Sequence, residues 1–363
     1  MKEDIPTVEA FRHSEGRLGV RSHVVVLPTT INTSPIADAI AAPRDRVVSL
    51  AHDHGCSQLG ADAALTRNIL TGLGWHPNAA GTVVVGSDRG GTAVTDLCEP
   101  LALVPTRRVS MWAAGGAHNC IEAGGTAADE LLSQCSPRRE PVGIDELVVG
   151  LVASDLEQST IRTVHPLIAK MTTELVHHGA RVLAAGVDRL LPFHDETSEA
   201  IEDQDSVERL FARMADVPPR NRQIGIRARA SGFENVISFL GDTRIDRVMV
   251  CGETLDPGPG VTILDAPSRF EEATTALAAA GAHLVVHLTA HGAPSGHPVV
   301  PVLTISGDSD TLAAIPGDID LNAQAADAAN VLSAIHRVAG GTRTAAERNG
   351  FTTVSIPRIG PSL

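Results

Sequence analysis

The chain has 363 residues, of which 43% are hydrophobic and 2% aromatic, with 29 basic and 43 acidic residues and a formal net charge of −14. This charge argues against nucleic acid and anionic membranes as partners, but a locally positive pocket can still hold a small anionic or polyhydroxylated substrate. The five cysteines show no paired spacing, and the N-terminus has no apolar segment of signal-peptide length. A cytoplasmic location is therefore expected.

Short runs rich in Val, Ile and Leu recur along the whole chain, and they do not alternate with polar residues. Such runs are typical of strands that are buried on both faces of a parallel sheet. The predicted strands cover residues 23–28, 46–51, 82–86, 107–112, 146–153, 181–186, 247–252, 261–265, 283–288 and 300–306.

Helical patterns lie between these runs. Leucine and isoleucine recur every four residues from 65 to 73, a leucine–methionine pattern does so from 167 to 175, and Ala-rich helices are expected at 269–280 and 321–339. Alternation of strands and helices predicts the α/β class, with two doubly wound, mostly parallel-sheet lobes. The polar stretch 133–146 places the division between an N-terminal lobe, 1–140, and a C-terminal lobe, 141–363.

Polar segments follow several of the predicted strands: "PTTINTS" follows the first, "HDHGCSQLG" the second and "GSDRGGT" the third. In open α/β sheets, ligands bind at the carboxyl ends of the strands. The site is therefore expected at strand C-terminal ends between the two lobes, where these loops would form one polar pocket.

The segment "HDHGCSQLG" contains His52, His54 and Cys56. Imidazole and thiolate groups are suitable ligands for zinc or iron, and a cysteine beside a histidine can also act as a nucleophile. A glycine-assisted turn that leads into a helix explains the same residues without any chemistry. The local pattern does not choose among these three interpretations.

Two further features suggest anion binding. Arg21 precedes the first strand and is either a surface cation or a bidentate clamp for a carboxylate. "GSDRGGT", with Asp88 and Arg89, is rich in glycine and could hold an anion through its backbone amides. It lacks the lysine of a nucleotide-binding P-loop.

Several segments together resemble the family of altronate dehydratase, galactarate dehydratase and the large subunit of sulfolactate sulfo-lyase. The resemblance runs from about Gly16 to the C-terminus. It rests on "GRLGVRSHVVVLPT", "HDHGCSQLGADAALTR", "HPNA", "IEAG", "GPGVTILDAP", "TAHGAPSGHPVVP", "GDIDLN" and "GTRTAAERNGF", in the family's order.

The resemblance implies elimination of water, or of sulfite, from a hydroxy acid, with a divalent cation such as iron often required. Such a reaction removes the proton α to a carboxylate, expels the β substituent, and gives an enol that becomes a 2-keto acid. The positions that match the family's pattern are Arg21, His52, Cys56, Gln58, Arg67 and Asn78.

The chain also differs from the family at expected site positions. Asn32, Arg89 and Ala153 stand where the family has cysteines, and His291 stands where it has an arginine. Loss of soft ligands undercuts a metal site built on them, so a divalent metal (Fe, Mn or Mg) and no metal are equally open. Arg89 could stabilise an enolate in place of a cation, or could simply pair with Asp88 or Glu122.

The resemblance also concerns partners. Altronate and galactarate dehydratases carry a small extra domain before this region, whereas sulfolactate lyase has it as a separate subunit. Only 15 residues precede Gly16 here. A small β-rich partner subunit is therefore a possibility, and a homo-oligomer is expected.

These observations favour a lyase of the hydro-lyase type that acts on a small hydroxy acid or sugar acid. A non-catalytic binding or regulatory subunit and a repurposed enzyme of specialised metabolism are the alternatives. The predicted catalytic residues are His52, His54 and Arg89, and the histidines suit proton transfer near neutral pH. The predicted metal ligands are His52 and Cys56. The predicted substrate-binding residues are Arg21, Asn32, Gln58, Arg67, Asp88, His291 and Gly292.

Overall fold

A computed structural model of the chain describes residues 6–13, 16–88, 91–101, 104–135, 138–214, 222–253, 255 and 258–358. The strands in these residues are β1 (Thr7–Arg12), β2 (Leu18–Gly19), β3 (His23–Pro28), β4 (Val47–Ser49), β5 (Ala79–Gly86), β6 (Thr106–Ser110), β7 (Arg139–Gly143), β8 (Val148–Ala153), β9 (Arg181–Ala185), β10 (Ile245–Met249), β11 (Gly260–Leu264), β12 (Leu284–Leu288), β13 (Val302–Ser306) and β14 (Leu321–Asn322).

The α-helices of the same residues connect these strands. They are α1 (Ser34–Ala41), α2 (Gly60–Gly74), α3 (Val94–Cys98), α4 (Met111–Ala114), α5 (Ala117–Gln134), α6 (His165–His177), α7 (His194–Ala200), α8 (Gln204–Met214), α9 (Arg222–Ser231), α10 (Phe233–Ile237), α11 (Phe270–Ala279), α12 (Ser309–Ala314), α13 (Ala328–Ala339) and α14 (Ala345–Asn349). Among these helices, none combines the length and the apolar composition needed to span a bilayer.

A parallel sheet of four strands forms the first lobe, in the order β4-β3-β5-β6. Successive residues of β3 point to opposite faces, as a strand requires. Val24 and Val26 pack with α1 and α5, whereas Val25 and Leu27 pack with α2 on the other face. Helices on both faces explain why the strand sequences are apolar without alternation.

The second lobe contains a parallel sheet of seven strands, in the order β10-β11-β9-β8-β12-β13-β14. Leu151 and Val286 face a core formed with α6 and α13, and Val152 and Val285 face the opposite side. All ten strands predicted from apolar runs are present within these two sheets. The predicted α/β class, with mostly parallel sheets, is confirmed.

The structure also contains a third sheet, which the sequence did not predict. Strands β2, β1 and β7 form an antiparallel sheet, in which β7 pairs with β1 over five residue pairs. The predicted boundary between the N-terminal and C-terminal lobes, at residues 140 and 141, lies within β7 of this third sheet. The boundary stays a prediction. The helix predicted over 321–339 is shorter than expected: β14 occupies its first residues, and the helix begins at Ala328 with Asp327 as its N-cap.

Helices α2 and α11 lie together between the two large sheets. Leu70 and Leu73 of α2 and Leu277 of α11 belong to one apolar core that also includes inward-facing residues of both sheets. The helices approach closely at Gly72, where a Cβ atom would overlap the carbonyl oxygen of Ala279. This contact joins the two lobes through a common layer.

We expect Gly72→Ala to destabilise the fold. Alanine gains about 1 kcal/mol in helix propensity, but the overlap with Ala279 forces α2 and α11 apart, and overpacking of this kind costs about 1–3 kcal/mol. Urea unfolding measures the difference. Gly225→Ala in α9 is the control, because its Cβ would lie 3.6 Å from Pro192, an ordinary contact. A Gly72→Ala protein as stable as the Gly225→Ala protein would contradict the close packing.

A buried polar network also joins the lobes. The side-chain amide of Asn78 donates to the carbonyl oxygens of His283, at 3.0 Å, and Val299, at 3.0 Å. His76 donates to the carbonyl of Ala282 at 3.1 Å, and its other ring nitrogen accepts from the amide of Asn78. The Nε2 atom of His283 donates to the carbonyl oxygen of Leu18, and its Nδ1 atom accepts from the amide of Val148. Asn78, a position of the family pattern, therefore has a structural role here.

These buried histidines predict loss of stability in acid. Burial lowers the pKa of His283 to about 4 from an ordinary 6.5. The unfolded chain therefore binds the proton first, and stability falls as the pH drops from about 6.5 towards 4, by about 1.4 kcal/mol per pH unit for each such histidine. His283→Gln should reduce this slope by about that amount, as measured by urea unfolding at several pH values. His118→Gln, at an exposed site on α5, should leave it unchanged; equal slopes in both variants would refute the assignment.

Candidate functional site

The loops after β3 and β4 meet at the carboxyl edge of the first sheet. The amide of Ile31 donates to the carbonyl of His54 at 2.7 Å, and the Asn32 side chain donates to the Cys56 thiol at 3.5 Å. Gly55, at φ +92°, packs so tightly on Thr29 that a Cβ atom would overlap the Thr29 carbonyl. The structure thus brings Asn32, His54 and Cys56 together.

His52 lies beneath this loop cluster and is buried. One ring nitrogen, Nε2, is 2.9 Å from the carbonyl oxygen of Pro28, and Nδ1 accepts from the amide of His54 at 3.1 Å. This pair of bonds fixes a neutral ring with the proton on Nε2. Burial lowers the pKa of His52 to about 4, which is consistent with that state. Both nitrogens are therefore occupied by the backbone.

His54 differs from His52 in its ring contacts. The side chain is half-buried, and neither ring nitrogen has a hydrogen-bond partner within the described residues. Burial lowers its pKa, and the positive charge of Arg358 lowers it further. The lowered pKa favours the neutral ring of His54 near pH 7, and both of its nitrogens are enclosed without a hydrogen-bond partner among the described residues.

A cleft of about 420 Å³ lies between the lobes, at the start of the helix that follows this loop. Its walls are the first two turns of α2, the segments that follow β9, β10 and β11, the facing parts of α8 and α9, the start of α11, and Pro357 and Arg358. Three of the seven strands therefore direct their carboxyl ends into it. This is the position at which parallel α/β sheets bind ligands.

Ionisable side chains of both signs line the cleft, and they are Asp188, Asp265 and Glu272 with Arg213, Arg269 and Arg358. Asp188 follows β9 and is buried, and its carboxylate accepts from the amide of Ser268 at 2.9 Å and from the Ser268 hydroxyl at 3.1 Å. Asp265 follows β11 and pairs with Arg213 of α8. Burial raises the pKa of both carboxyls, and the negative charge of Asp188 contributes to the rise at Asp265. Perturbed pKa values of this kind are concentrated at functional sites.

Neither aspartate is among the site residues that the sequence predicts. Asp265 lies in "GPGVTILDAP", a segment on which the family resemblance rests, and its place directly after a predicted strand was the available signal. Asp188 has the weaker signal, because it lies within a short helical turn, Val187–Arg189, that follows β9.

Two helices also begin at the cleft. Ala61, Ala64 and Leu65, in the first turns of α2, line it, and the N-cap residue Leu59 makes no side-chain hydrogen bond to the helix. Glu272, in the first turn of α11, lines it as well. Helix N-termini present amide groups and a partial positive charge, so they complement the cationic side chains of the cleft in attracting an anion.

Arg21 lies away from these groups, at the amino end of β3. Its guanidinium holds Glu347 through two bonds of 2.7 and 2.9 Å and donates to three backbone carbonyls, those of Val20, Val338 and Thr342. These contacts tie the first lobe to the C-terminal helices. The predicted role of Arg21 as a substrate clamp has no support in its surroundings and stays a prediction.

We therefore expect Arg21→Gln to weaken the fold rather than substrate binding. The substitution leaves the half-buried Glu347 carboxylate without its cation, and breaking a buried pair costs about 3–5 kcal/mol. Thermal and urea unfolding measure the loss. Arg12→Gln is the control, since Arg12 pairs with Glu140 and Glu146 at an exposed site, where a pair is worth about 1 kcal/mol or less. Equal stability of the two variants would contradict a structural role for Arg21.

The other predicted residues have varied positions. Gln58 accepts from the amide of Gly55 at 3.1 Å and belongs to the loop cluster, whereas Arg67 is exposed on α2. Asp88 is exposed after β5 at φ +58°, and Arg89 lies outside the described residues. His291 and Gly292 follow β12, where the amide of His291 donates to the Thr289 hydroxyl at 3.0 Å. Their predicted roles are untested.

The predicted metal ligands do not form a ready metal site. Both nitrogens of His52 are bonded to the backbone, and Cys56 contacts Asn32. Within the described ranges, no group of three His, Cys, Asp or Glu side chains is arranged to hold a cation. The residues present thus do not fit the metal that the resemblance implies.

Parallel sheets with ionisable groups at their carboxyl edges define an α/β protein with a candidate ligand cleft between its lobes. Within that class, the chain belongs to the D-galactarate dehydratase/altronate dehydratase family. The model for the second domain of D-galactarate dehydratase/altronate hydrolase matches residues 10–136, and the model for the C-terminal region of D-galactarate/altronate dehydratase matches residues 235–362.

Curated relatives agree with this assignment. Altronate dehydratase of Escherichia coli is 26% identical over 98% of this chain and 78% of its own length. Altronate dehydratase of Bacillus subtilis is 28% identical over 87% of this chain and 69% of its own length. The (2R)-sulfolactate sulfo-lyase subunit beta of Chromohalobacter salexigens is 25% identical over 97% of both chains. The predicted family is confirmed.

Proposed function

We propose that this chain is a lyase that eliminates water, or a related leaving group, from a small hydroxy acid in the cleft between the lobes. Family membership supports the reaction class, because the relatives are dehydratases and a sulfo-lyase. The observation that carries the site is the largely buried carboxyl of Asp265, with a raised pKa, in a cleft that also holds Arg358, whose charge acts on His54.

Elimination requires a group that accepts the α-proton, a group that protonates the leaving oxygen, and positive charge near the carboxylate. Asp265 and His54 are the two groups to which we assign the proton transfers. Asp265 lies in the cleft wall with a raised pKa. His54 is close enough to Arg358 of that wall for the charge of Arg358 to lower its pKa, and its two enclosed ring nitrogens have no hydrogen-bond partner among the described residues. Of the two histidines that the sequence predicts for this role we keep His54, because a proton transfer at His52 would break its backbone bonds.

The carboxylate of the substrate is assigned to the cationic side of the cleft. Arg213 and Arg358 line this region, and the N-terminus of α2 adds its amide groups. Asp188 is a positioning residue: its two bonds to Ser268 fix the segment between β11 and α11, which carries Asp265. In the reaction, the α-carbon loses its proton, the bond from the β-carbon to oxygen breaks, and the enol product becomes the 2-keto acid.

We expect Asp265→Asn and His54→Gln each to lower kcat/KM by about 100-fold or more, the range in which loss of a proton-transferring group falls. The assay follows 2-keto acid formation from a panel of hydroxy acids and sugar acids, with and without added Fe(II) or Mn(II). Asp242→Asn and His118→Gln are the matched controls, because both residues are exposed and neither lines the cleft.

Full activity of both the Asp265→Asn and the His54→Gln proteins would refute the assigned site. Absence of turnover on the whole panel, together with binding of one of its acids, would instead support the alternative of a non-catalytic binding subunit. That alternative is favoured by Asn32 and Ala153, which stand where the family has cysteines. The expected β-rich partner subunit and homo-oligomer stay predictions; one relative is itself named as a subunit.

A further inference from the structure

One wall of the cleft is apolar. Ala61, Ala64 and Leu65 lie on one face of α2, and Met214 of α8 and Ile224 of α9 contribute further hydrocarbon surface. The charged groups, Asp265 with Arg213 and also Arg358, are in the same cleft. The site therefore has a polar part, suited to a carboxylate and its neighbouring hydroxyl groups, and an apolar part.

A fully hydroxylated sugar acid suits only the polar part. Every carbon of such an acid carries an oxygen atom, and a hydroxyl group that leaves water for a hydrocarbon wall without a new partner loses about 1–3 kcal/mol. An alkyl group at the same wall gains about 0.8 kcal/mol for each buried CH₂. The lining thus discriminates between two kinds of acid that share the same reacting carbons.

We propose that the substrate is a 2,3-dihydroxy acid whose remaining carbons form a short alkyl or aryl substituent. This inference rests on the proposed function, since it names the substrate class of the same cleft. The carboxylate and the two hydroxyl groups occupy the charged part, and the substituent lies against Leu65, Met214 and Ile224. A volume of about 420 Å³ accommodates such a molecule, since ligand pockets typically measure about 300–1,000 Å³.

The test uses two acids with equal chain length. 2,3-Dihydroxyhexanoate and a hexonate of the same configuration at C2 and C3 differ only in the hydroxyl groups at C4 to C6. Titration calorimetry measures Kd for both acids, and keto-acid formation measures kcat/KM, for each configuration. We expect the dihydroxyhexanoate to bind at least about tenfold more tightly, because the apolar wall favours its tail.

Two substitutions on one helix locate the effect. Ile224→Thr places a hydroxyl group on the cleft wall and should weaken dihydroxyhexanoate binding about fivefold, with little change for the hexonate. Ile226→Thr is the matched control: Ile226 belongs to the same helix, is 67% exposed and does not line the cleft. Thermal unfolding verifies that both variants fold.

The outcomes separate this inference from the proposed function. Equal or tighter binding of the hexonate overturns the inference, whether or not either acid reacts. Turnover of the hexonate alone also overturns it and leaves the proposed lyase activity standing. Tighter binding of the dihydroxyhexanoate without any keto acid supports the substrate class and counts against the lyase. If Ile224→Thr and Ile226→Thr change the Kd of dihydroxyhexanoate equally, the apolar wall is not the cause of its tighter binding.

Discussion

The close contact of α2 with α11 determines how the two sheets are placed. Because Gly72 lacks a side chain, α2 reaches the backbone of α11, and both sheets pack on this pair of helices from opposite sides. The same two helices begin at the cleft, so one packing layer sets both the distance between the lobes and the positions of the helix N-termini at the cleft. Stability and site geometry therefore have a common origin.

The sequence predicted the parallel sheets because strands buried on both faces must be apolar at every position, and that pattern needs no tertiary information. It missed the antiparallel sheet of β1, β2 and β7. Thr7–Arg12 alternates between exposed and buried residues, and β2 has only two residues, so neither gives a continuous apolar run. The sheet forms because β7 pairs with β1 across more than a hundred residues of chain, and local patterns contain no information on such pairing.

The sequence predicts which candidate residues come together only where those residues follow the predicted strands. The loops after β3 and β4 meet because parallel neighbours end at the same edge, which brings Asn32 to Cys56. Arg21 precedes its strand and therefore lies at the opposite edge, where Glu347 binds it. The difference between His52 and His54 could not be foreseen, since it depends on which ring nitrogens the folded backbone occupies. Asp188 and Asp265 owe their raised pKa values to burial, which exists only in the assembled fold.

Arg358 closes the cleft from a segment that follows every sheet strand in the sequence, and Ile356 beside it is buried in the core shared by the lobes. A nascent chain therefore contains every strand of both sheets before the last residue of the cleft wall has been made. The cleft closes only after Arg358 has been synthesised, so the candidate site is a late product of synthesis rather than a gradual one.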